Sequence, residues 1–376
     1  MDMLSQLPPG KAAIFNGQGQ PFELITRSLR PLEPGEVLVK VLYTTLCGSD
    51  IHTYCGRRIE PAQVVLGHEI AGDILAIEGS HPGTDFRGEV IKAGDRVTWS
   101  IFASAADVVP PRLDMPQKSA GLFKYGHTLA VGNDVFNGGL ADYCILRPNT
   151  ALIKISPDIP LKVAATISCA HSTTMGALRM AGDISGKKVI VYGLGLLGLS
   201  CVAMCKEAGA SWIGVVDNNP SRLAWGVRFG ADAVKGTDGV NGTDSVQGKE
   251  LLNGADGEGA WPEADVVFDM TGDSVAMQQG LDALAVGGCA VWIGAVYPNK
   301  PVAVDAQKVV RKLLQIKGLH NYNYQDFVNA TSFIEDNYEK YPFEELTEKE
   351  FGLEQIQEAF EYADQQKPVR VGIHIN

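Results

Sequence analysis

Residues 189–198, Val-Ile-Val-Tyr-Gly-Leu-Gly-Leu-Leu-Gly, decide the fold of this chain. The mostly apolar start predicts a short buried strand, and the three glycines give the pattern G-x-G-x-x-G before an apolar helical stretch. Gly193 permits a tight turn, Gly195 lets a pyrophosphate approach the backbone, and Gly198 lets the helix pack closely on the strand. Free N–H groups at the helix N-terminus bind phosphate. The stretch therefore predicts a dinucleotide-binding unit.

Strands and helices alternate around this unit between about Ser172 and Gly318. This alternation predicts an α/β fold with a doubly wound parallel sheet. The predicted strands are Val189–Tyr192, Trp212–Val216, Asp265–Phe268, Cys289–Ile293 and Leu314–Ile316, and the predicted helices are Leu196–Ala208, Pro220–Phe229 and Ser274–Leu284.

Asp217 ends the second predicted strand and bears on the choice of cofactor. It follows the first glycine at about the 20-residue distance expected of the carboxylate that binds the adenosine ribose hydroxyls. A carboxylate there repels a 2′-phosphate, and the next residue is Asn218 rather than an arginine that could bind one. We therefore expect NAD to be preferred over NADP.

The N-terminal part, up to about Leu152, has a different pattern. Short β-rich runs such as residues 36–42 and 139–146 are separated by glycine and proline, which predicts small sheets joined by turns. The C-terminal tail after about Asn321 is mixed and ends in an apolar run at residues 369–375. Residues 236–259 are rich in Gly and Asp and predict a surface loop with no assigned function.

Three segments outside the dinucleotide unit offer metal ligands: Leu-Cys-Gly-Ser-Asp-Ile-His at 46–52, Gly-His-Glu at 67–69, and Ile-Ser-Cys-Ala-His at 167–171. Each segment alone also fits an ordinary buried thiol or core histidine. The combination is more informative, because the same chain carries the dinucleotide fingerprint.

Two further motifs are Gly-Asp-Arg-Val at 94–97 and Cys-x-x-Ser-Thr-Thr at 169–174. In all of these motifs the chain resembles the zinc-dependent alcohol dehydrogenases of the medium-chain dehydrogenase/reductase superfamily. The resemblance covers nearly the whole chain. It implies a β-rich GroES-like catalytic domain at residues 1–171 and 319–376, and a Rossmann NAD-binding domain at 172–318. It further implies that Cys47, His68 and Cys169 bind a catalytic zinc and leave its fourth position to water or substrate.

The resemblance also implies roles for residues around this zinc. Glu69 would stand behind the metal, and Ser49 and His52 would pass a proton out of the site, although His52 alone also fits a surface histidine in a turn. Thr173 would pack against the nicotinamide. The other cofactor-binding candidates are Gly193, Gly195, Leu196, Leu197, Gly198, Asp217, Arg222, Thr271, Gly294 and Arg370.

Many relatives hold a second, structural zinc with four cysteines. The matching positions here are Ala105, Val108, Pro111 and Ser119, and none of them is a cysteine. We therefore expect one catalytic zinc per chain and no structural zinc.

The substrate candidates are Arg57, Arg58, Trp99 and Lys124. Residues 122–127 and 318–322 resemble a subgroup of these dehydrogenases that is associated with phosphonate metabolism. A small hydroxyalkyl phosphonate would then be the substrate, with its anionic end bound by an arginine or by Lys124. Polyols and secondary alcohols remain alternatives, and adjacent arginines on a loop are often merely solvated.

Two other classes of function also remain open. A zinc-independent quinone or enoyl reductase would keep the fold, but the set Cys47, His68 and Cys169 argues against it. A nucleotide-binding protein without enzymatic activity would need neither those ligands nor Ser49 and His52.

Composition excludes several partners. The 376 residues carry a net charge of -12, with 45% hydrophobic residues, so no basic nucleic-acid or anionic-membrane surface is expected. No apolar run is long enough for a membrane span, and no signal peptide is recognisable. Seven cysteines indicate reduced thiols or metal ligands in a cytoplasmic protein. The family resemblance implies a homodimer or homotetramer.

Overall fold

The computed structural model describes residues 7–104, 115–237 and 261–375. The chain divides into two compact units. The first comprises Met1–Ser172, Asn323–Tyr338 and Phe343–Asn376, and the second comprises Thr173–Tyr322 and Glu339–Pro342. The predicted domain boundaries differ from these by a few residues, and Glu339–Pro342 groups with the second unit although the prediction placed it in the first.

The strands are β1 (Gly10–Phe15), β2 (Glu23–Arg27), β3 (Val37–Thr45), β4 (Val64–Val65), β5 (Glu69–Ile77), β6 (Arg96–Ala103), β7 (Phe123–Lys124), β8 (Tyr143–Leu146), β9 (Thr150–Lys154), β10 (Lys188–Tyr192), β11 (Trp212–Asp217), β12 (Ala233–Gly236), β13 (Ala264–Asp269), β14 (Leu284–Trp292), β15 (Gln315–Gly318), β16 (Thr347–Gly352) and β17 (Arg370–His374). The helices are α1 (Gly48–Tyr54), α2 (Leu161–Ala164), α3 (Ala170–Ala181), α4 (Leu196–Glu207), α5 (Pro220–Arg228), α6 (Ser274–Asp282), α7 (Ala306–Lys312), α8 (Tyr324–Asn337) and α9 (Ile356–Gln366). Short 3₁₀ turns occupy Pro116–Lys118, Ala165–Ser168, Phe343–Leu346 and Leu353–Gln355.

The second unit contains a six-stranded sheet in the order β12-β11-β10-β13-β14-β15. All of its neighbouring strands pair in parallel. Counted along the chain this is the order 3-2-1-4-5-6 of dinucleotide-binding folds, in which the direction of winding reverses between β10 and β13. The predicted doubly wound parallel sheet is confirmed. Ligands of such sheets bind at the carboxyl ends of the strands beside that reversal.

The predicted strands and helices of this unit are present, with ends that shift by a few residues. Strand β14 begins at Leu284, earlier than the predicted Cys289, because the sequence Ala-Val-Gly-Gly before that cysteine gave no clear strand pattern. Strand β12 was not predicted. It is a short edge strand that pairs only with β11 among the described strands.

The first unit is built mainly of antiparallel β-structure, as predicted. Its larger sheet has the order β16-β17-β3-β5-β6-β7, with β8 paired to β3 and β9 paired to β6. A smaller sheet has the order β2-β1-β4. The central strands β3 and β5 are each nine residues long, are buried along most of their length and pair with each other through eight residue pairs, so both can anchor a site at their ends.

Apolar side chains of these sheets and of the segments that pack on them form one large core, which includes Val39, Ile74, Trp99, Phe136 and Phe360. Fully burying one such side chain contributes roughly 1.5–3 kcal/mol. None of the helices in the described residues is both long and apolar enough to traverse a membrane.

Candidate functional site

Three potential metal ligands from distant parts of the first unit come together. Cys47 follows β3 and is the N-cap of α1, His68 immediately precedes β5, and Cys169 lies between a 3₁₀ turn and α3. Their ligand atoms all lie within 4.8 Å of one another, and all three residues are buried. We refer to these three residues as the metal triad.

The metal triad fits a zinc ion in its donor set and spacing. The two sulfur atoms lie 4.0 Å apart. This is about twice the length of a disulfide bond, but it suits two thiolates on a tetrahedral metal with Zn–S bonds of about 2.3 Å. The hydrogen bond from Cys169, together with Arg370 and His68, holds the pKa of the Cys47 thiol well below its usual range. Two cysteines and one histidine bind zinc and leave one position open for catalysis.

Asp50 supports the metal triad and was not among the predicted site residues. Its Oδ1 lies 3.3 Å from Nδ1 of His68, and its Oδ2 accepts the backbone N–H of Cys47 at 3.0 Å. A carboxylate behind a histidine orients the ring so that the other nitrogen faces the metal. The pattern Cys-Gly-Ser-Asp at 47–50 is a capping box, and this signal could have identified Asp50 as a fixed side chain.

Glu69 and Arg370 form a buried ion pair next to the metal triad. Nε and Nη2 of Arg370 each donate to a different carboxylate oxygen of Glu69 at 2.9 Å, and Nη2 lies 3.9 Å from Sγ of Cys47. The hydroxyl of Thr45 also donates to Glu69. Burial raises the pKa of Glu69 to about 7 despite the opposing effect of Arg370. The structure thus places Glu69 and Arg370 behind Cys47, and the cofactor contact predicted for Arg370 stays a prediction.

Ser49 and His52, the predicted proton-transfer residues, both lie on α1. Oγ of Ser49 is 3.4 Å from Nε2 of His68, so Ser49 lies directly at the metal triad. His52 is one turn further along the helix and accepts a hydrogen bond at Nδ1 from Nε of Arg57 at 2.8 Å.

A second group of charged side chains flanks His68. Arg58 pairs with Glu60 at 2.6 Å, and Glu60 also lies 3.2 Å from Nδ1 of His127. The ring of His127 lies beside that of His68 at an interplanar angle of 35°, with 5.1 Å between the centroids. Sequence reasoning did not identify Glu60, because one of its partners, His127, is distant in sequence and becomes a neighbour only in the folded protein.

The remaining substrate candidates have different environments. Burial, followed by the repulsion of Arg58, lowers the pKa of Lys124 to about 8. Within the described part of the chain, the Lys124 ammonium makes no hydrogen bond or ion pair. Trp99 is 1% exposed and packs in the core of the first unit. With its ring enclosed in this core, Trp99 presents almost no accessible surface, and its contact with a substrate stays a prediction.

The glycine fingerprint has the geometry of a phosphate-binding turn. Gly193 follows β10 with φ +87°, a conformation that favours glycine. A Cβ on Gly198 would lie 1.8 Å from the carbonyl oxygen of Gly193, so only glycine allows this close approach. A Cβ on Gly195 would meet nothing within 4 Å, so there is open space beside the residue that precedes α4, where a phosphate can bind. Leu196 is buried and Leu197 is partly buried, and the cofactor contacts predicted for them stay predictions.

Asp217 lies at the carboxyl end of β11, beside this turn. One carboxylate oxygen accepts the backbone N–H of Leu194 at 2.6 Å, and the other accepts that of Asn219 at 2.8 Å. The carboxylate is therefore fixed next to the glycine turn, where a ribose would bind.

The other predicted cofactor residues belong to the same unit, apart from Arg370. Thr173 lies in α3, and Arg222 lies in the first turn of α5. Thr271 follows β13 and donates through Oγ1 to Asp269 at 2.5 Å. A Cβ on Gly294 would lie 2.2 Å from the backbone nitrogen of Gly272, so the loops after β13 and β14 touch through backbone alone.

Comparison with known proteins agrees with this architecture. The family model described as the alcohol dehydrogenase GroES-like domain matches residues 33–157, and the one described as zinc-binding dehydrogenase matches residues 197–336. The chain is 29% identical over 345 residues to L-threonine 3-dehydrogenase of Pyrococcus horikoshii, covering 90% of this chain and 91% of that protein. It is 27% identical over 345 residues to D-arabitol-phosphate dehydrogenase of Enterococcus avium, covering 91% and 90%.

Among solved structures, an alcohol dehydrogenase from Thermotoga maritima superimposes with a TM-score of 0.86 at 24% identity, over 97% of this chain and 99% of that one. This likeness shows the fold. Together, the two domain matches and the full-length relatives show that the chain belongs to the zinc-dependent alcohol dehydrogenases of the medium-chain dehydrogenase/reductase superfamily.

Proposed function

We propose that this protein oxidises an alcohol with NAD as the hydride acceptor, and reduces the matching carbonyl in reverse, with one zinc bound by Cys47, His68 and Cys169. The single observation that carries the proposal is the convergence of three buried donor atoms within 4.8 Å in a chain with a dinucleotide-binding sheet. When bound, zinc acts as a Lewis acid that makes an alcohol hydroxyl more acidic and polarises a carbonyl.

The protein's own residues then bind, orient and accept the proton. Asp50 orients His68, while Arg370 neutralises the charge of Glu69 behind the thiolates. The hydroxyl of Ser49 lies 3.4 Å from Nε2 of His68, and we propose that it receives the substrate proton first. His52 is the final acceptor, because a base near neutrality suits general base catalysis.

We propose that NAD is preferred over NADP. The fixed Asp217 carboxylate supports this preference, since it would bind ribose hydroxyls and repel a 2′-phosphate. Asn218 and Asn219 follow it, and neither supplies a positive charge.

We propose that each chain holds one zinc rather than two. Three of the positions where relatives carry structural ligands, Ala105, Val108 and Pro111, lie outside the described residues. Ser119 is described and is partly buried at the end of a 3₁₀ turn. None of the four side chains is a zinc ligand of the cysteine type.

For the substrate, we propose a small alcohol that carries an anionic group, such as a hydroxyalkyl phosphonate. Lys124 is the best candidate to bind that group, because it is partly buried and its ammonium has no ion-pair partner among the described residues. Arg58 and Arg57 are already paired, with Glu60 and Asp364 respectively. The names of the two relatives above, L-threonine 3-dehydrogenase and D-arabitol-phosphate dehydrogenase, denote alcohols with ionised groups, which supports an ionised substrate.

The test is a panel of alcohols with NAD or NADP as acceptor. It pairs each hydroxyalkyl phosphonate or carboxylate with a neutral alcohol of the same length. The proposal predicts NAD-dependent turnover that is highest for an anionic member. Turnover only with neutral polyols would support the alternative substrate class, and no turnover with any alcohol would contradict the proposed function.

We further propose that the chain forms a homodimer or homotetramer in the cytoplasm. Strand β15 is an edge strand, and Val310 and Leu313 beside it are 71% and 70% exposed. An open strand edge with apolar neighbours is a common site of self-association. All seven cysteines are free thiols, which suits a reducing compartment. Light scattering of the purified protein would measure the oligomeric state directly.

A further inference from the structure

The turn that ends α1 brings Arg57 back onto His52. Gly56 adopts φ +73°, which glycine tolerates, and its N–H donates to the carbonyl of Thr53 at 3.0 Å. The N–H of Arg57 donates to the carbonyl of His52 at 2.9 Å. These two bonds form a Schellman motif, a helix end in which the side chains five residues apart characteristically meet. Here the two side chains that meet are those of His52 and Arg57.

The contact between these side chains has a defined direction. Nε of Arg57 lies 2.8 Å from Nδ1 of His52, and a guanidinium can only donate. His52 must therefore accept at Nδ1. In its neutral form the imidazole carries one proton, which then resides on Nε2.

The charges around His52 come from three parts of the first unit. Arg57 and Arg58 belong to the turn, Cys47 precedes the same helix, and Asp364 lies on α9. Burial, and then Arg57, lowers the pKa of His52, while Cys47 and Asp364 act in the opposite direction. Asp364 lies 3.6 Å from Nη2 of Arg57, so the guanidinium is shared between His52 and this carboxylate.

We propose that Arg57 is a positioning residue for proton transfer: it fixes His52 as the Nε2–H tautomer and occupies the nitrogen at which His52 must take up a proton. This inference rests on the proposed function, in which His52 is the final proton acceptor. Oxidation of an alcohol to a carbonyl releases a hydride to NAD and one proton. When that proton binds Nδ1, His52 and Arg57 both become donors, so their hydrogen bond breaks and Arg57 turns to Asp364.

The sign of the pH effect follows from this arrangement. His52 can act as a base only when it is neutral, so alcohol oxidation slows as pH falls through its pKa. Because Arg57 disfavours the charged imidazole, it extends the active range towards lower pH. Loss of Arg57 would move the pKa of His52 upward, towards the ordinary histidine value of about 6.5. Loss of Asp364 would move it further down.

The first readout needs no catalysis. Histidine labelled with ¹³C and ¹⁵N in the zinc-loaded enzyme gives the pKa and tautomer of each ring by NMR, and the signal missing in His52→Gln assigns His52. We expect the Nε2–H tautomer in the wild type, an upward pKa shift in Arg57→Gln and a downward shift in Asp364→Asn. Arg27→Gln, which changes an exposed arginine on β2, should leave His52 unchanged.

The second readout is the pH profile of kcat/KM for alcohol oxidation. Its acidic limb should move to higher pH in Arg57→Gln, in step with the NMR pKa. A wild-type His52 with its proton on Nδ1, or an unchanged pKa in Arg57→Gln, would overturn the inference. If the NMR shifts appear but no alcohol is oxidised by any variant, the Arg57–His52 contact stands and it is the proposed function that fails.

Discussion

The carboxylate of Asp50 contacts two residues of the metal triad at once, with Oδ1 3.3 Å from Nδ1 of His68 and Oδ2 accepting the N–H of Cys47 at 3.0 Å. One side chain therefore fixes both the ring of His68 and the start of α1. Such supporting carboxylates typically contribute 10–100-fold to metal affinity.

We expect Asp50→Ala to weaken zinc binding by about 10–100-fold, because the ring of His68 loses its orientation. Competition with a chromophoric chelator measures the affinity. Asp158→Ala, which removes an exposed carboxylate from the same unit, is the matched control and should bind zinc like the wild type. Equal affinity in Asp50→Ala and the control would contradict a supporting role.

Arg370→Met should destabilise the first unit by about 3–5 kcal/mol, because it leaves the Glu69 carboxylate buried without its partner. Urea denaturation measures this loss. The double variant Arg370→Met/Glu69→Gln removes both charges and should recover a large part of the stability. If the single variant is as stable as the double variant, the ion pair does not hold this part of the structure together.

Asp217→Ala should raise the KM for NAD and lower the ratio of kcat/KM for NAD to that for NADP by roughly tenfold or more. The reason is that lost ribose hydrogen bonds contribute about 0.5–1.5 kcal/mol each and the repulsion of a 2′-phosphate disappears. Steady-state kinetics with both cofactors checks this ratio. Asn219→Ala removes only the N-cap of α5, so it should leave the ratio unchanged. A wild-type enzyme that already prefers NADP would refute the carboxylate argument.

The lowered pKa of Lys124 predicts that the KM depends on pH for anionic substrates but not for neutral ones. Burial lowers its pKa to about 8, and only the ammonium attracts an anion, so the KM for a hydroxyalkyl phosphonate should rise as pH increases above about 8. The KM of a neutral alcohol of equal length should not follow this rise. In Lys124→Met the KM for the phosphonate should be about ten- to a hundredfold higher, from ~1.5–3 kcal/mol for a charged hydrogen bond. Equal effects on both alcohols would remove Lys124 from the substrate site.

Local signals made much of the fold predictable. The strand, the glycine turn and the helix at 189–207 are contiguous in sequence, so β10, α4 and the nearby Asp217 could be identified from pattern alone. Strand β12 could not, since it is a short strand stabilised by pairing with β11 rather than by its own pattern. Helix α3 was also missed, because its first seven residues, Ala-His-Ser-Thr-Thr-Met-Gly, contain few strong helix formers.

The metal triad was predicted through the family resemblance, whereas its supporting contacts depend on tertiary structure. Arg370 meets Glu69 from the other end of the chain because β17 pairs with β3, and β3 with β5. No local sequence pattern predicts such an ion pair. For Trp99, its position after a family motif suggested a substrate contact, but the sequence did not reveal that its side chain lies in the core as part of β6.

If Cys47, His68 and Cys169 together bind one zinc ion, the zinc content of the purified protein will show it. Plasma mass spectrometry should find about one zinc per chain in the wild type and in Cys289→Ala, a buried cysteine of the second unit, but almost none in Cys169→Ala. Cys169→Ala should retain NAD binding, because the glycine turn lies in the other unit. Two zinc ions per wild-type chain, or a full equivalent in Cys169→Ala, would contradict the account.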